Sequence, residues 1–345
     1  MTQVRTTTVT GAYYDEKRQF LMVEGVVARN IPEFPVVPRP KRNSLAAAFD
    51  GLGGNTTLGI HLSVIAPGGE KKGHRHLDEA TFYIVSGHGW SELRQGEDVP
   101  DQRVDWKAGD VVTIPANAWH KHYNGDPDRP ARQLAFKNTR LLRKLFHSRD
   151  FVYANDFRFG DRYADEPDFW TARGEGNYGK VKVNYIPDFV DEAVEPDPEA
   201  GQAVSVRRFS MGGHRMLDHL LFEIGVGGHV REHLPFAEEG MLILRGHGRT
   251  VLRSDDGRQA TITWGPGDLL APPLHVHRQH HQEGDEPVRY LLVRNNFIER
   301  ALGVKGNLSL DGAWPDRWPG ILEADQDMLA RAAAGVDRPG GGDPD

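Results

Sequence analysis

The chain has no cysteine among its 345 residues. Disulfides are therefore excluded, as are thiolate-bound zinc and iron–sulfur centres, and any ion has to be held by imidazole nitrogen or carboxylate oxygen. Also missing is any apolar run near the roughly 18 residues that a membrane-spanning helix needs. The N-terminus, MTQVRTTTVTGAYYDEKRQF, lacks the apolar block that opens a secretory signal. The expectation is a cytoplasmic protein with no membrane partner. Positive charge is not in excess either: 42 Lys and Arg against 49 Asp and Glu give a formal charge of −7. No basic stripe compensates locally, which argues against nucleic acid as a partner.

What the chain does contain fits a globular protein with two modest cores, since 38% of its residues are hydrophobic and 26% charged. An internal repeat gives the organisation. Gly68, Gly69, His74, Gly87, His88 and Gly89 fall on Gly227, Gly228, His233, Gly246, His247 and Gly248, a constant shift of 227 − 68 = 159. A second block follows in each half. There Pro115, His120 and Arg132 align with Pro272, His277 and Arg289 at a shift of 272 − 115 = 157, so two residues are lost between the blocks. Short runs such as ATFYIVSG, DVVTIPA and EGMLILRG are rich in β-branched and aromatic residues and end at Gly, Pro, Asn or Asp. They read as strands, and many short strands suggest a barrel or sandwich. The divisions expected are a first barrel over 1–147, a polar connecting segment over 148–200 and a second barrel over 201–335. ILEADQDMLARAAAG has helical spacing up to Gly335, and the tail 336–345 is expected to be disordered.

Chemistry concentrates in two His-x-His pairs. His74 and His76 are two apart and share a face of an extended strand, as do His120 and His122. A barrel that joins those strands gathers neutral nitrogen donors suited to a first-row metal. The bland reading, alternating surface histidines, fits a lone pair better than two pairs punctuated by Gly and Pro.

These blocks resemble the paired motifs of the cupin superfamily. The first, G-x5-H-x-H-x3,4-E-x6-G, is matched by Gly68, His74, His76 and Gly87. The second, G-x5-P-x-G-x2-H-x3-N, is matched by Gly109, Pro115, His120 and Asn124, with Asn117 at the middle glycine. The resemblance implies an all-β chain of two tandem jelly-roll barrels with few helices. HRHLDEATFYIVSGHG and AWHKHYNG further resemble gentisate 1,2-dioxygenases and related ring-cleaving two-barrel cupins. Like those enzymes, this chain has alanine, Ala80, at the usual glutamate position, with Glu79 one residue early.

That likeness implies Fe(II), or alternatively Mn, Ni or Zn, on His74, His76 and His120. It also implies a small chelating substrate together with O2, oxidative C–C cleavage and a homo-oligomer. His122 corresponds to a histidine that assists proton movement or orientation. Trp119, beside a ligand, could stack on a substrate ring or simply pack. In the family an arginine pairs with the substrate carboxylate, and its place here is Phe82. An apolar ring there favours an uncharged substituent. Alternatively Phe82 packs in the wall, and another cation, Arg75 or Arg132, serves the carboxylate. In the second half, His233, Glu239 and His277 make a facial triad on paper, although Pro235 replaces the second histidine of the pair. Two other readings stay open: a metal-dependent decarboxylase or isomerase on the same fold, or a binding protein without turnover.

Overall fold

The computed structural model describes residues 10–15, 20–176, 179–255 and 257–295. The expected helix before Gly335 and the tail 336–345 lie outside them. The described chain is built mostly of strands, with α-helices at Thr139–Phe146 and Arg149–Tyr153.

In the first half, one sheet runs in the order Ser44–Leu52, Gly59–Ile65, Ala131–Lys137, Ala80–Ser86, Val111–Ile114. The facing sheet runs Gln102–Lys107, His88–Arg94, Trp119–Asn124, Glu70–His74. Side-chain alternation assigns each strand two faces. Along Ala131–Lys137, Ala131 and Ala135 enter the barrel interior with Phe82, Leu93 and Trp106. Leu134 and Phe136 face a central core that also takes Phe209, Leu221, Leu242 and Leu291 from the second half. The second barrel repeats the plan with Gly201–Ser210, Asp218–Val230, Glu239–Arg245, His247–Arg253, His277–Glu283 and Val288–Arg294, around Ile243, Leu252, Trp264 and Tyr290. Both copies turn between strands on a left-handed glycine, Gly87 (φ 84°) and Gly246 (φ 73°). A Cβ on Gly87 would meet Ala131 Cα at 2.8 Å, so only glycine fits.

The repeat extends beyond the motifs. Val27–Ala28 pairs with Leu269–Leu270 of the second barrel, and Tyr185–Ile186 pairs with Val111–Val112 of the first. Each edge leads into a left-handed residue, Asn30 or Asp188. The backbone N–H of that residue donates to Asp268 and to Asp110 respectively. Two carboxylates also clasp across the halves. Glu79 accepts from the backbone N–H groups of Arg215, Met216 and Leu217. Glu238 accepts from those of Thr56, Thr57 and Leu58 at 2.5–2.8 Å. Glu79 is thus a structural clasp, while the position of the usual carboxylate ligand is Ala80 in the first half and Glu239 in the second.

The described residues of 148–200 pack more closely than a connector needs to. Tyr163, Phe169 and Trp170 fill the first barrel's core, and Val181, Val183, Ile186 and Phe189 join the central one. Their anchoring residues are too widely spaced to show a period.

Candidate metal centre

The three histidines meet because of one irregularity. Strand Glu70–His74 pairs with Trp119–Asn124 so that His120 faces His74 and His122 faces Lys71; the register shifts between the two pairs. That bulge sets two residues, Lys72 and Gly73, against one, Lys121, which turns both His74 and Lys71 inward. Gly73 sits inside it, and a Cβ there would meet the Trp119 ring at 2.4 Å. His76 follows two residues on, and its carbonyl is pinned by the Asn117 N–H at 2.7 Å.

The result is a cluster in which one ring nitrogen each from His74, His76 and His120 lies within 4.8 Å of the others. Ring centroids are 4.3–4.9 Å apart. His76 Nδ1 donates to the Asp78 carbonyl at 3.0 Å and His120 Nδ1 to the Ala118 carbonyl at 2.9 Å. Each contact leaves the Nε2 lone pair free, the second-sphere device that orients metal-ligating imidazoles. His120 Nε2 is buried with no hydrogen-bond partner. Burial, with neighbouring cations, holds all three rings well below the usual imidazole pKa and therefore neutral. A buried, neutral, converging set of nitrogen donors fits a divalent first-row ion.

Cations already press on the same lone pairs. Lys137 Nζ is 3.2 Å from His76 Nε2, and Arg42 Nη2 is 2.5 Å from His74 Nδ1. An ion on His74 would displace the Arg42 contact. If Nδ1 is the ligand it cannot accept from Arg42, and if Nε2 is the ligand, Nδ1 carries the proton.

His122 lies at the same end of the barrel, its ring 5.5 Å from that of His120 and 4.7 Å from Phe82. Trp106 Nε1 donates to Ser91 Oγ at 2.9 Å, and Ser91 Oγ is 2.7 Å from His122 Nδ1. Trp106 takes one acceptor lone pair of the serine, and its single O–H is left to donate to Nδ1; in that arrangement the imidazole proton sits on Nε2. That atom is buried and otherwise unpaired.

The structure separates the remaining candidates. Phe82 is buried in the barrel wall, with Lys71 and Lys137 Nζ 5.3 and 5.6 Å from its ring centroid. Trp119 alternates with His120 and so points to the outer face, where the Arg94 guanidinium stacks on it at 3.8 Å. Arg75 is turned to Glu97 at 3.8 Å. Arg132 donates to the Phe34 carbonyl at 3.0 Å on the side of the central core. None of these three reaches the cluster. The basic residues that do, Lys137 and Arg42, come from a strand end and the turn Pro40–Arg42, and Lys71, over the Phe82 ring, comes from a bulge; no motif marks any of them.

The second-half triad is corrected by the register. His280 pairs with Thr250 as His122 pairs with Ser91. Trp264 Nε1 donates to Thr250 Oγ1 (2.8 Å), which contacts His280 Nδ1 (2.7 Å). The shift in this block is therefore 280 − 122 = 158, and the counterpart of His120 is Arg278, bridged to His233 as His120 is to His74. His277 instead faces Glu232 and Asp255. Arg278, fully buried, lies 3.0 Å from Glu239. A permanent cation thus stands at the second centre, and His233, Glu239 and His277 do not converge on an ion.

Residues 61–136 match the cupin domain family. Among curated proteins, gentisate 1,2 dioxygenase 1 of Aquipseudomonas alcaligenes is 31% identical over 121 residues, 34% of this chain and 31% of that protein. The match spans about a third of the relative. Among solved structures, salicylate 1,2-dioxygenase from Pseudaminobacter salicylatoxidans aligns with a TM-score of 0.57 at 17% identity, covering 77% of this chain and 81% of that one. The oxalate decarboxylase of Lactobacillus farciminis aligns with a TM-score of 0.53 at 14% identity, covering 90% and 94%. At these identities the structures establish the two-barrel fold alone.

Proposed function

We propose that this chain, a two-barrel protein whose residues 61–136 form a cupin domain, is a non-heme Fe(II) dioxygenase. It would cleave a C–C bond of a small dihydroxy-aromatic or similarly chelating substrate with O2. The observation that carries this reading is the buried three-histidine cluster with no carboxylate among its donors, in the stretch that matches the cupin domain family.

His74, His76 and His120 are the residues that would hold the ion. Three neutral donors leave its positive charge undiminished and, in an octahedron, three positions open. A bound Fe(II) supplies Lewis acidity and the one-electron chemistry that O2 requires. The chain's own contributions are positional. The carbonyls of Asp78 and Ala118 fix two of the rings, and the barrel walls exclude water. His122 offers its Nε2 proton to an oxygen of the substrate, held in that tautomer by Ser91 and Trp106. Its expected part in proton movement or orientation therefore becomes, on this geometry, hydrogen-bond donation. A cytoplasmic location and a homo-oligomeric state belong to the same proposal.

The test is metal analysis followed by an oxygen-electrode screen of hydroquinones, catechols, aminophenols and their carboxylated forms, with ring opening read by absorbance. O2 uptake matched to ring-opened product is the expected result. Product formation without O2 uptake would move the assignment to a decarboxylase or isomerase, with the ion as a Lewis acid only.

A further inference from the structure

The charge of the substrate can be read from the barrel wall, granted the reading of the site just given. Lys71 is turned into the interior by the bulge in Glu70–His74, although a regular strand would not face it the same way as His74. Its ammonium is buried, 5.3 Å from the Phe82 ring centroid, and its polar contact is the neutral amide oxygen of Gln133 at 3.5 Å. The charges that act most strongly on it are all positive: Arg42, Lys137 and Arg39. Together with burial they push its pKa well below the ordinary lysine value. The carboxylate Asp78 acts on Lys137 and not on Lys71, while accepting from the Thr139 hydroxyl at 2.5 Å and lying 3.3 Å from His76 Nδ1.

A buried lysine without an anion costs free energy, either as a desolvated ammonium or through the proton it gives up, that a methionine or glutamine of similar length would not; an anion beside it restores the charged form. Such a cost persists at sites where a ligand supplies the missing charge. Lys71 pairs across the strands with His122, and both side chains lie against Phe82. An anion held by Lys71 would therefore share the Phe82 ring with His122, whose ring centroid is 4.7 Å from that of Phe82. The floor beneath it is an aromatic face, which suits a planar, monoanionic group better than a fully hydrated phosphate.

We propose that Lys71, seconded by Lys137, is the receptor for a carboxylate of the substrate, so that this barrel takes chelating carboxylic acids and not their uncharged analogues. The cation that the residue at position 82 does not provide comes from Lys137 on the neighbouring strand Ala131–Lys137 and from Lys71 on the facing sheet.

The experiment uses the metal-loaded protein under anaerobic conditions, so that binding is read without turnover. Calorimetric titrations with 2,5-dihydroxybenzoate, hydroquinone and inorganic phosphate are compared for the wild type, Lys71→Met, Lys71→Gln and Lys71→Arg. The wild type should prefer the acid over hydroquinone by about 10-fold or more, as expected for a charge-assisted contact. Lys71→Met and Lys71→Gln should abolish that preference at unchanged metal content, and Lys71→Arg should restore part of it. Both neutral variants should also melt at higher temperature than the wild type, because a lysine kept for packing would give the opposite shift. Equal binding of acid and hydroquinone, binding of neither, preference for phosphate, or a loss common to both aromatic probes overturns the proposal. Lysine-dependent binding of the acid with no O2 uptake in air would instead sink the dioxygenase reading and leave the carboxylate receptor standing.

Discussion

Replacing Arg278 tests whether a fixed cation has taken the place of a metal in the second barrel. Arg278 is fully buried and Glu239 is 4% exposed. Their contact is 3.0 Å, and the guanidinium has further acceptors in the carbonyls of Pro272 and Pro273 at 3.4 and 3.5 Å. Arg278→Met keeps most of the volume but strands a buried carboxylate, at a cost of about 3–5 kcal/mol. Glu239→Gln leaves the guanidinium its carbonyl partners and should cost about 1–3 kcal/mol. The double variant removes both charges and should recover most of the loss, leaving a coupling of about 2–3 kcal/mol in the cycle. Urea unfolding followed by fluorescence measures all four proteins. Additive single effects, or an Arg278→Met cost below about 1 kcal/mol, would show that the pair is incidental. A positive control is Arg278→His, which places an imidazole beside His233 and Glu239 and should give the second barrel a metal affinity it lacks in the wild type.

Three further outcomes follow from the same geometry. His122→Ala should retain bound metal and lower turnover about 100-fold, with Ser91→Ala lowering it less; an unchanged rate in the first variant would make the ring structural. Glu238→Ala removes an acceptor for three backbone N–H groups and two hydroxyls of Thr56–Leu58. It should cost about 3 kcal/mol or more while leaving metal content intact, both read by urea unfolding and metal analysis. His219 and His280 are buried away from the cluster, and burial lowers both pKa values well below the ordinary 6.5. Because the unfolded chain binds the proton first, their stabilisation is fully present above about pH 6.5 and is lost as pH falls towards the folded values, at about 1.4 kcal/mol per unit for each ring. Unfolding free energies measured between pH 7.5 and 5 should decline accordingly, and a flat profile would contradict the assignment.

The barrels and the first cluster were legible because local chemistry and long-range geometry agree there. Apolar runs rich in β-branched and aromatic residues end at Gly87 and Gly246, and the His-x-His spacing survives intact in the first half. The failures have specific causes. One residue of offset separates His277 from Arg278, and in a strand one residue reverses the face. The paired Trp106–Ser91–His122 and Trp264–Thr250–His280 networks would have fixed that offset, because each links three residues that recur at shifts of 158 or 159. Of the two readings open for Trp119, stacking on a substrate ring rests on its proximity to His120, but neighbours in a strand point apart. Lys71 was invisible because only the bulge turns it inward. The exchange of Val27–Ala28 and Tyr185–Ile186 between the barrels rests on two-residue strands too short to carry any period.

The most direct measurement is the metal stoichiometry of the purified protein and of three variants. The account predicts about one first-row metal ion per wild-type chain, and its loss in each of His74→Ala, His76→Ala and His120→Ala with the fold retained by circular dichroism. Metal kept at full occupancy in any of the three variants, or two ions per wild-type chain, would contradict it.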